Sequence, residues 1–420
     1  MNKLTLDDIK VLGEGPQVKK LIEAKYGTLR KFHQQESPSI CLKSIMDYCS
    51  SKKIRSGTFK CLIVNKFDKG WEDIVLTEPE QITKHVYEIY NNIILYRQES
   101  DIQLFDKLME LCGQYKLADE NILMYRNIAK NYYYRNNSMK AIEYYNKAIT
   151  LIGNQNIDIL VSLTVELADH YFKERYVDDC ERLFNRARCY IEEYKVSNST
   201  LYKYYYRRGI VCNFEVNYAE ALKYLEKSVQ YADINTEVMS EKGAAFLAIG
   251  VAHKNEGNYE EAKKSYSYAF SHFHEKDIYG RITLFNNLAS LYCAMGDYDK
   301  AIEYIEQAKD ILEKEKIINK QLLISHTYAE IKLMQGDTSA FYKFIEALKT
   351  TINSSVNKNS IKNYINSMIK TVDDIDMLKE LHKSICYIKE NTNNDMYIDT
   401  LYSCIGRVYE KLVLKGGVIF

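Results

Sequence analysis

The side chains of this 420-residue chain that could do chemistry are binding groups rather than a catalytic set. No Gly-x-x-x-x-Gly-Lys loop, His-Glu-x-x-His pair or Gly-x-Ser-x-Gly turn occurs, and the eight histidines are scattered. His272-x-His274 reads as a surface pair rather than a metal site. The expectation is a protein that is not an enzyme and holds no metal or cofactor. One group of candidates is cationic: Arg30, Lys31, Lys43, Lys52, Lys53 and Arg55, with Ser44 and Asp47 among them. Residues 1 to 75 carry fourteen Lys or Arg against nine Asp or Glu, a surplus of five that the rest of this net-neutral chain balances. Cations on one small module suit phosphate recognition, and an acidic remainder stays off the same polyanion. The competing reading is a solvated basic face, since Asp47 would repel phosphate. A second group mixes amides, aromatics and both charge signs. It comprises Arg126, Asn127, Lys130 and Tyr133, then Glu166, Asp169 and Lys173, then Tyr206, Arg207 and Asn213. Asn255, Asn286, Asn287 and His326 complete it. An extended peptide needs backbone donors and acceptors together with apolar pockets, and this mixture offers both. The alternative is a set of ordinary solvated positions.

A recurring spacing places the second group. Ala129, Tyr132, Ala141, Tyr145 and Ala148 stand 3, 9, 4 and 3 residues apart, and the intervals return at Ala168, Tyr171, Cys180, Phe184 and Ala187. Three more copies follow, from Gly209, Gly250 and Ala289, at steps of 39, 41, 41 and 39 residues. Small residues let paired helices approach closely while large ones fill the gaps. The pattern resembles the tetratricopeptide repeat, with helices longer than its usual unit of about 34 residues. A sixth copy at Ala329 is weaker, because Phe341 fills a small position. Residues 355 to 392 and 394 to 415 read as further amphipathic helices. Asn136-Asn137, Gly257-Asn258 and Gly296-Asp297 supply residues tolerant of positive φ where helices stop. In each unit the first helix makes the inner face, two and three residues before the first small position and one, four and five after it. Those offsets select the second group, with Asn127 and Asn287 at equivalent positions and foremost in expectation.

Composition agrees. The three prolines all fall in the first fifth, as a long helical array requires. No run of about 18 apolar residues suggests a membrane span, and the ten cysteines lack Cys-x-x-Cys spacing. Their expected role is that of small buried hydrophobes in a reducing cytoplasm.

The first fifth reads differently. Val18, Leu21, Ile22 and Tyr26 share a face of a helix from Gln17 that ends at Gly27. Thr28 can cap a second helix with Leu29 and Phe32, stopping at Ser37-Pro38. Ser39 can cap a third, with Leu42, Ile45, Tyr48 and Cys49 inward and Lys43, Ser44 and Asp47 outward. Beyond the basic loop 51–57 a fourth carries Phe59, Leu62, Ile63 and Phe67, with Trp71 and Ile74 closing the bundle. Thr77-Glu78-Pro79-Glu80 begins a new helix with a capping box, expected to run to about Tyr96. The helix 101–115 would follow it.

Short helix, tight turn, short helix and basic loop resemble a helix-turn-helix domain of the phage-repressor type. Two departures are His33 after Phe32, where that type has a small residue, and a turn about two residues longer. Followed by long tetratricopeptide repeats, this layout resembles the RRNPP family of Gram-positive bacteria, intracellular receptors for imported quorum-sensing peptides. The expected fold class is all-α: a helix-turn-helix bundle over 1–75, connecting helices over 76–118, and a right-handed tetratricopeptide solenoid over 119–420. The resemblance implies a cytoplasmic homodimeric regulator that binds duplex DNA and is controlled by a short signalling peptide in the repeat groove. The third helix would enter the major groove while Arg30, Lys31, Lys52, Lys53 and Arg55 straddle the backbone. The alternative is a repeat scaffold or Rap-like protein that binds a protein partner without binding DNA.

Overall fold

The computed structural model describes residues 3–6, 9, 12, 14–36, 40, 42–50, 57–69, 75–96, 98–135, 137–153, 156–232, 240–275, 277–317, 320–351, 358–391 and 395–416. Among them are twenty-one α-helices and no strand, an all-α architecture. Two compact units divide the chain, residues 1–131 and 132–420.

The first unit opens with α1 (Glu14–Tyr26), α2 (Leu29–Glu36), α3 (Leu42–Cys49) and α4 (Gly57–Phe67). Val18, Ile22, Phe32, Ile45, Tyr48, Cys49, Phe59 and Ile63 form their common core. These are the inward positions of the amphipathic reading, with Leu21, Leu62 and Phe67 packed at the margin. Gly27, at φ +78°, stops α1, and the Thr28 hydroxyl caps α2 by accepting the Lys31 N–H at 3.1 Å. Ser37, Pro38, Ser39, Trp71 and Ile74 lie outside the described residues.

α5 (Glu78–Asn91) starts as expected, with the Thr77 N–H donating to the Glu80 carboxylate at 2.6 Å. It ends at Asn91 rather than near Tyr96, and a 3-10 turn covers Ile93–Leu95. The Asn92 side chain donates to the Glu88 carbonyl at 2.9 Å, giving the backbone a local partner other than the next turn. α6 (Asp101–Gln114) follows, and α7 (Ala118–Tyr134) carries the unit boundary. Two glutamines join the bundle to α5. Gln17 exchanges hydrogen bonds with both backbone groups of Leu76 at 2.9 Å, and Gln81 does the same with Leu12 at 2.9 Å.

The second unit is a series of helix pairs. They are α8 (Ser138–Ile152), α9 (Ile157–Lys173) with α10 (Val177–Glu193), and α11 (Asn198–Phe214) with α12 (Tyr218–Tyr231). Next come α13 (Glu241–Glu256) with α14 (Tyr259–His272), α15 (Ile278–Ala294) with α16 (Tyr298–Lys314), and α17 (Gln321–Met334) with α18 (Ser339–Thr351). The small positions are sealed: Ala141, Ala148, Ala168, Ala187, Ala221, Ala262, Ala269, Ala289, Ala301 and Ala308 have no exposed surface. At Gly250 an added Cβ would lie 2.4 Å from the Tyr266 ring, so the small residue is what lets α13 and α14 close.

Turns follow the expectation in part. Gly257 and Gly296 adopt φ of +91° and +80°. Asn137 has a negative φ of −98° and caps α8 instead, accepting the Lys140 N–H at 3.2 Å. Arg175 and Val216 hold φ of +67° and +64° without glycine. Asn136 lies outside the described residues. The stretch 355–392 holds two helices, α19 (Lys358–Thr371) and α20 (Ile375–Asn391). Asp374 restarts the chain by accepting the Met377 N–H at 2.8 Å. α21 (Asp395–Leu414) ends the array.

Two glycine substitutions should move stability in opposite directions. Gly250→Ala should cost about 1–3 kcal/mol by forcing the buried Tyr266 ring aside. Gly406→Ala, in α21 with nothing within 4 Å of the new methyl, should add about 0.5–1 kcal/mol of helix propensity. Urea midpoints of the two variants against wild type measure both.

Candidate functional site

The polar side chains of α9 and α11 converge on one carboxylate. Asp169 accepts from Lys173 Nζ at 2.6 Å, one turn along the same helix, and Arg207 Nη1 of α11 stands 3.6 Å from its other oxygen. Lys173 Nζ lies 4.7 Å from the centre of the Tyr133 ring, and Arg207 lies against Tyr206 at 5.7 Å. Glu166, a turn before His170, accepts the Tyr145 hydroxyl at 3.1 Å. Burial alone would raise the Asp169 pKa, but Arg207 and Lys173 outweigh it and hold the carboxyl well below the usual range. Asp169 in turn raises Arg207, and raises Lys173 against the opposing effect of burial. This half of the face is internally neutralised, with two acids and two bases.

Further along, the set is sparser in charge. Asn255 of α13 donates to the Asn213 carbonyl oxygen of α11 at 3.4 Å, an amide rung across neighbouring first helices. Lys254 Nζ donates to Ser290 Oγ of α15 at 3.0 Å. Asn286, one turn before Ser290, is 6% exposed, and its Oδ1 has no hydrogen-bond partner among the described residues; Asn287 beside it is half-buried. His326 of α17 is buried against Tyr364 and Phe344, with Nε2 3.5 Å from Glu330. Burial lowers its pKa against the pull of Glu330.

The remaining members of the second group lie in the first unit. Arg126 is 8% exposed with its guanidinium over the Tyr90 ring at 4.3 Å, and Lys130 is half-buried. Asn127 has no exposed surface, so the two asparagines at equivalent repeat positions differ: Asn287 reaches solvent and Asn127 does not. The offset rule also selects Ser290, one residue after Ala289, while two participants escaped the sequence reading. Glu330 falls one residue after the small position Ala329, where the same rule would find it. His170, whose ring meets Tyr133 at 4.3 Å and Tyr145 at 4.9 Å, sits outside the rule.

On the N-terminal bundle, α3 buries Ile45, Tyr48 and Cys49 and exposes Lys43, Ser44 and Met46, with Asp47 half-buried at the edge. Arg30 and Lys31 are exposed on α2. An added Cβ on Gly15 would come within 2.0 Å of the Tyr48 carbonyl oxygen, so only glycine lets the start of α1 meet the end of α3. Lys52, Lys53 and Arg55 lie outside the described residues.

The tetratricopeptide repeat family matches residues 241–314 and 280–340, and these residues carry such repeats. A stretch of 94 residues is 34% identical to photosystem I assembly protein Ycf3 of Cyanophora paradoxa, covering 22% of this chain and 53% of that protein. The chain thus spans about half the length of that curated relative. Among solved structures it is similar to aspartyl phosphate phosphatase F from Bacillus subtilis, 12% identical over 100% of this chain and 98% of that one, with a TM-score of 0.50. A Rap protein complexed with competence and sporulation factor is 12% identical over 96% of this chain and 99% of that one, with a TM-score of 0.49. The likeness to the phosphatase is one of fold. No helix among the described residues is long and apolar enough to cross a membrane.

Asp169→Asn should leave Lys173 and Arg207 without their counter-ion. Because the Arg207 side chain is 43% exposed, screening limits the loss to about 1–2 kcal/mol, below that of a fully buried pair. The folded-state pKa of Asp169 is depressed, so its stabilisation is present above the unfolded value near 3.9 and disappears as pH falls below it. Melting temperatures between neutral pH and pH 3 should therefore fall less steeply for the variant than for wild type.

Proposed function

We propose that the chain is a transcriptional regulator whose N-terminal bundle binds duplex DNA and whose repeat array binds a short signalling peptide. The observation that carries the DNA half is α3, which buries one apolar side and turns Lys43 and Ser44 outward a short link after the exposed cations of α2. A helix so mounted suits a major groove, with flanking cations on the phosphates. The peptide half is supported by amides, aromatics and paired charges ranged along α9, α11, α13, α15 and α17, which meet an extended backbone's need for donors and acceptors. In this reading the protein is a cytoplasmic homodimer without catalytic activity.

A second reading is a Rap-like protein that docks on a protein partner, and the full-length likeness of fold to aspartyl phosphate phosphatase F favours it. Salt separates the two. A fluorescein-labelled random-sequence duplex should bind the full-length protein at low salt and lose about a thousandfold in affinity between 50 and 200 mM, as about six phosphate contacts release their counterions. Replacing Lys43, Lys52, Lys53 and Arg55 together by Ala should abolish the shift while the helical circular dichroism stays unchanged. Undiminished affinity in that variant would end the DNA reading, and a protein recovered by pull-down in its place would favour the docking one.

A further inference from the structure

The repeat face is asymmetric in its charge, and the asymmetry identifies one end of the guest. On α9 and α11 the central charges satisfy one another: Asp169 holds Lys173 at 2.6 Å and Arg207 at 3.6 Å. Lys254 of α13 differs. Its ammonium has three N–H donors, and among the described residues its one bonded partner is the neutral Ser290 hydroxyl at 3.0 Å. No carboxylate of the described residues lies within ion-pair distance of it. Glu330, the acid whose field reaches it, accepts the Ser367 hydroxyl. Burial accordingly pushes the Lys254 ammonium below its ordinary value, the mark of a cation lacking a counter-charge in contact.

A second group, on the helix that carries Ser290, is also unsatisfied. Asn286 is 6% exposed, and its Oδ1 accepts no hydrogen bond among the described residues. Asn286 and Ser290 are four residues apart on α15, so they share a face one turn, about 5.4 Å, from each other. Ser290 fixes the ammonium at one end of that turn, and the orphaned acceptor stands at the other. The site therefore asks for a carboxylate and an N–H donor held a few ångströms apart. The last residue of a peptide offers this pair, its amide N–H and its terminal carboxylate being joined through a single Cα. An acidic side chain supplies the carboxylate but places one more bond (Asp) or two more (Glu) between it and its own N–H.

Resting on the peptide reading above, we infer that Lys254, Ser290 and Asn286 form the pocket for the free C-terminus of the bound peptide, which fixes the direction in which the guest lies. Lys254 donates to the terminal carboxylate, Asn286 Oδ1 accepts the last amide N–H, and Ser290 holds the ammonium in place. The guest then runs from this pocket toward the neutralised Asp169 cluster, where amide and aromatic contacts serve it without a net charge requirement. A peptide released by proteolysis carries such a carboxylate, whereas an internal loop of a folded partner does not.

The test uses the full-length protein and pools of short random-sequence peptides without Asp or Glu, made either as free acids or as C-terminal amides. Mass spectrometry counts the peptides retained. Wild type should retain free acids at least about tenfold over amides, the value of one charge-assisted hydrogen bond. Lys254→Met should erase that preference with its melting temperature maintained, and Lys254→Arg should keep most of it. Equal retention of acids and amides by wild type, or an undiminished preference in Lys254→Met, would overturn the assignment while leaving the peptide reading in place. A third pool, amidated at the C-terminus but containing Asp and Glu, retained as well as the free acids would overturn the terminal carboxylate in favour of a side chain. Retention of neither pool would remove the peptide reading and this inference with it.

Discussion

Close approach of helices at small residues is the constraint on which the second unit rests. Ala262 and Ala269 are sealed against the neighbouring helix, and Gly250 leaves room for a Tyr266 ring that any Cβ would strike. Because first helices are thereby stacked at short range, side chains one repeat apart in sequence become neighbours in space. Asn255 reaches Asn213, 42 residues away, and Lys254 reaches Ser290, 36 away. The polar face is thus a by-product of the packing rule, each polar side chain standing at a fixed offset from a small residue.

That origin explains what was legible in the sequence. The helix pairs and their sealed small positions follow from a period, and periods are visible without a structure. So are the inward faces of α1 to α4, whose core is the set of apolar residues at helical spacing. What escaped has no period. The Gln17 and Gln81 hydrogen bonds span 59 and 69 residues between segments with no common pattern. Asn127 and Asn287 occupy the same repeat position, yet one is sealed and the other reaches solvent, because burial depends on what packs over a position as well as on its place in the helix. The early end of α5 turned on one side chain, Asn92, bonding back to Glu88. The positive φ at Arg175 and Val216 shows the same limit, since residue type marks the glycine turns and leaves these two unmarked.

The two halves of the polar face differ in how far their polar groups satisfy one another. Around Asp169 the ionic groups satisfy one another, so that region holds its own geometry and offers rings and amides at its edges. Around Asn286 and Lys254 an acceptor and a cation stand incompletely satisfied, and a buried group in that state costs free energy until something binds it. Preorganisation in one half and unmet bonding capacity in the other are what the proposed orientation of a guest rests on.

The paired glutamines of the first unit carry a consequence of their own. Gln17 and Gln81 grip the backbone at Leu76 and Leu12 through uncharged amides, each donating to the carbonyls of both leucines and accepting the N–H of one. A clasp of this kind neither titrates across the physiological range nor weakens as counterions accumulate. The fastening between the small bundle and α5 is therefore indifferent to the ionic milieu, so that a tug on one would reach the other in dilute and concentrated electrolyte alike.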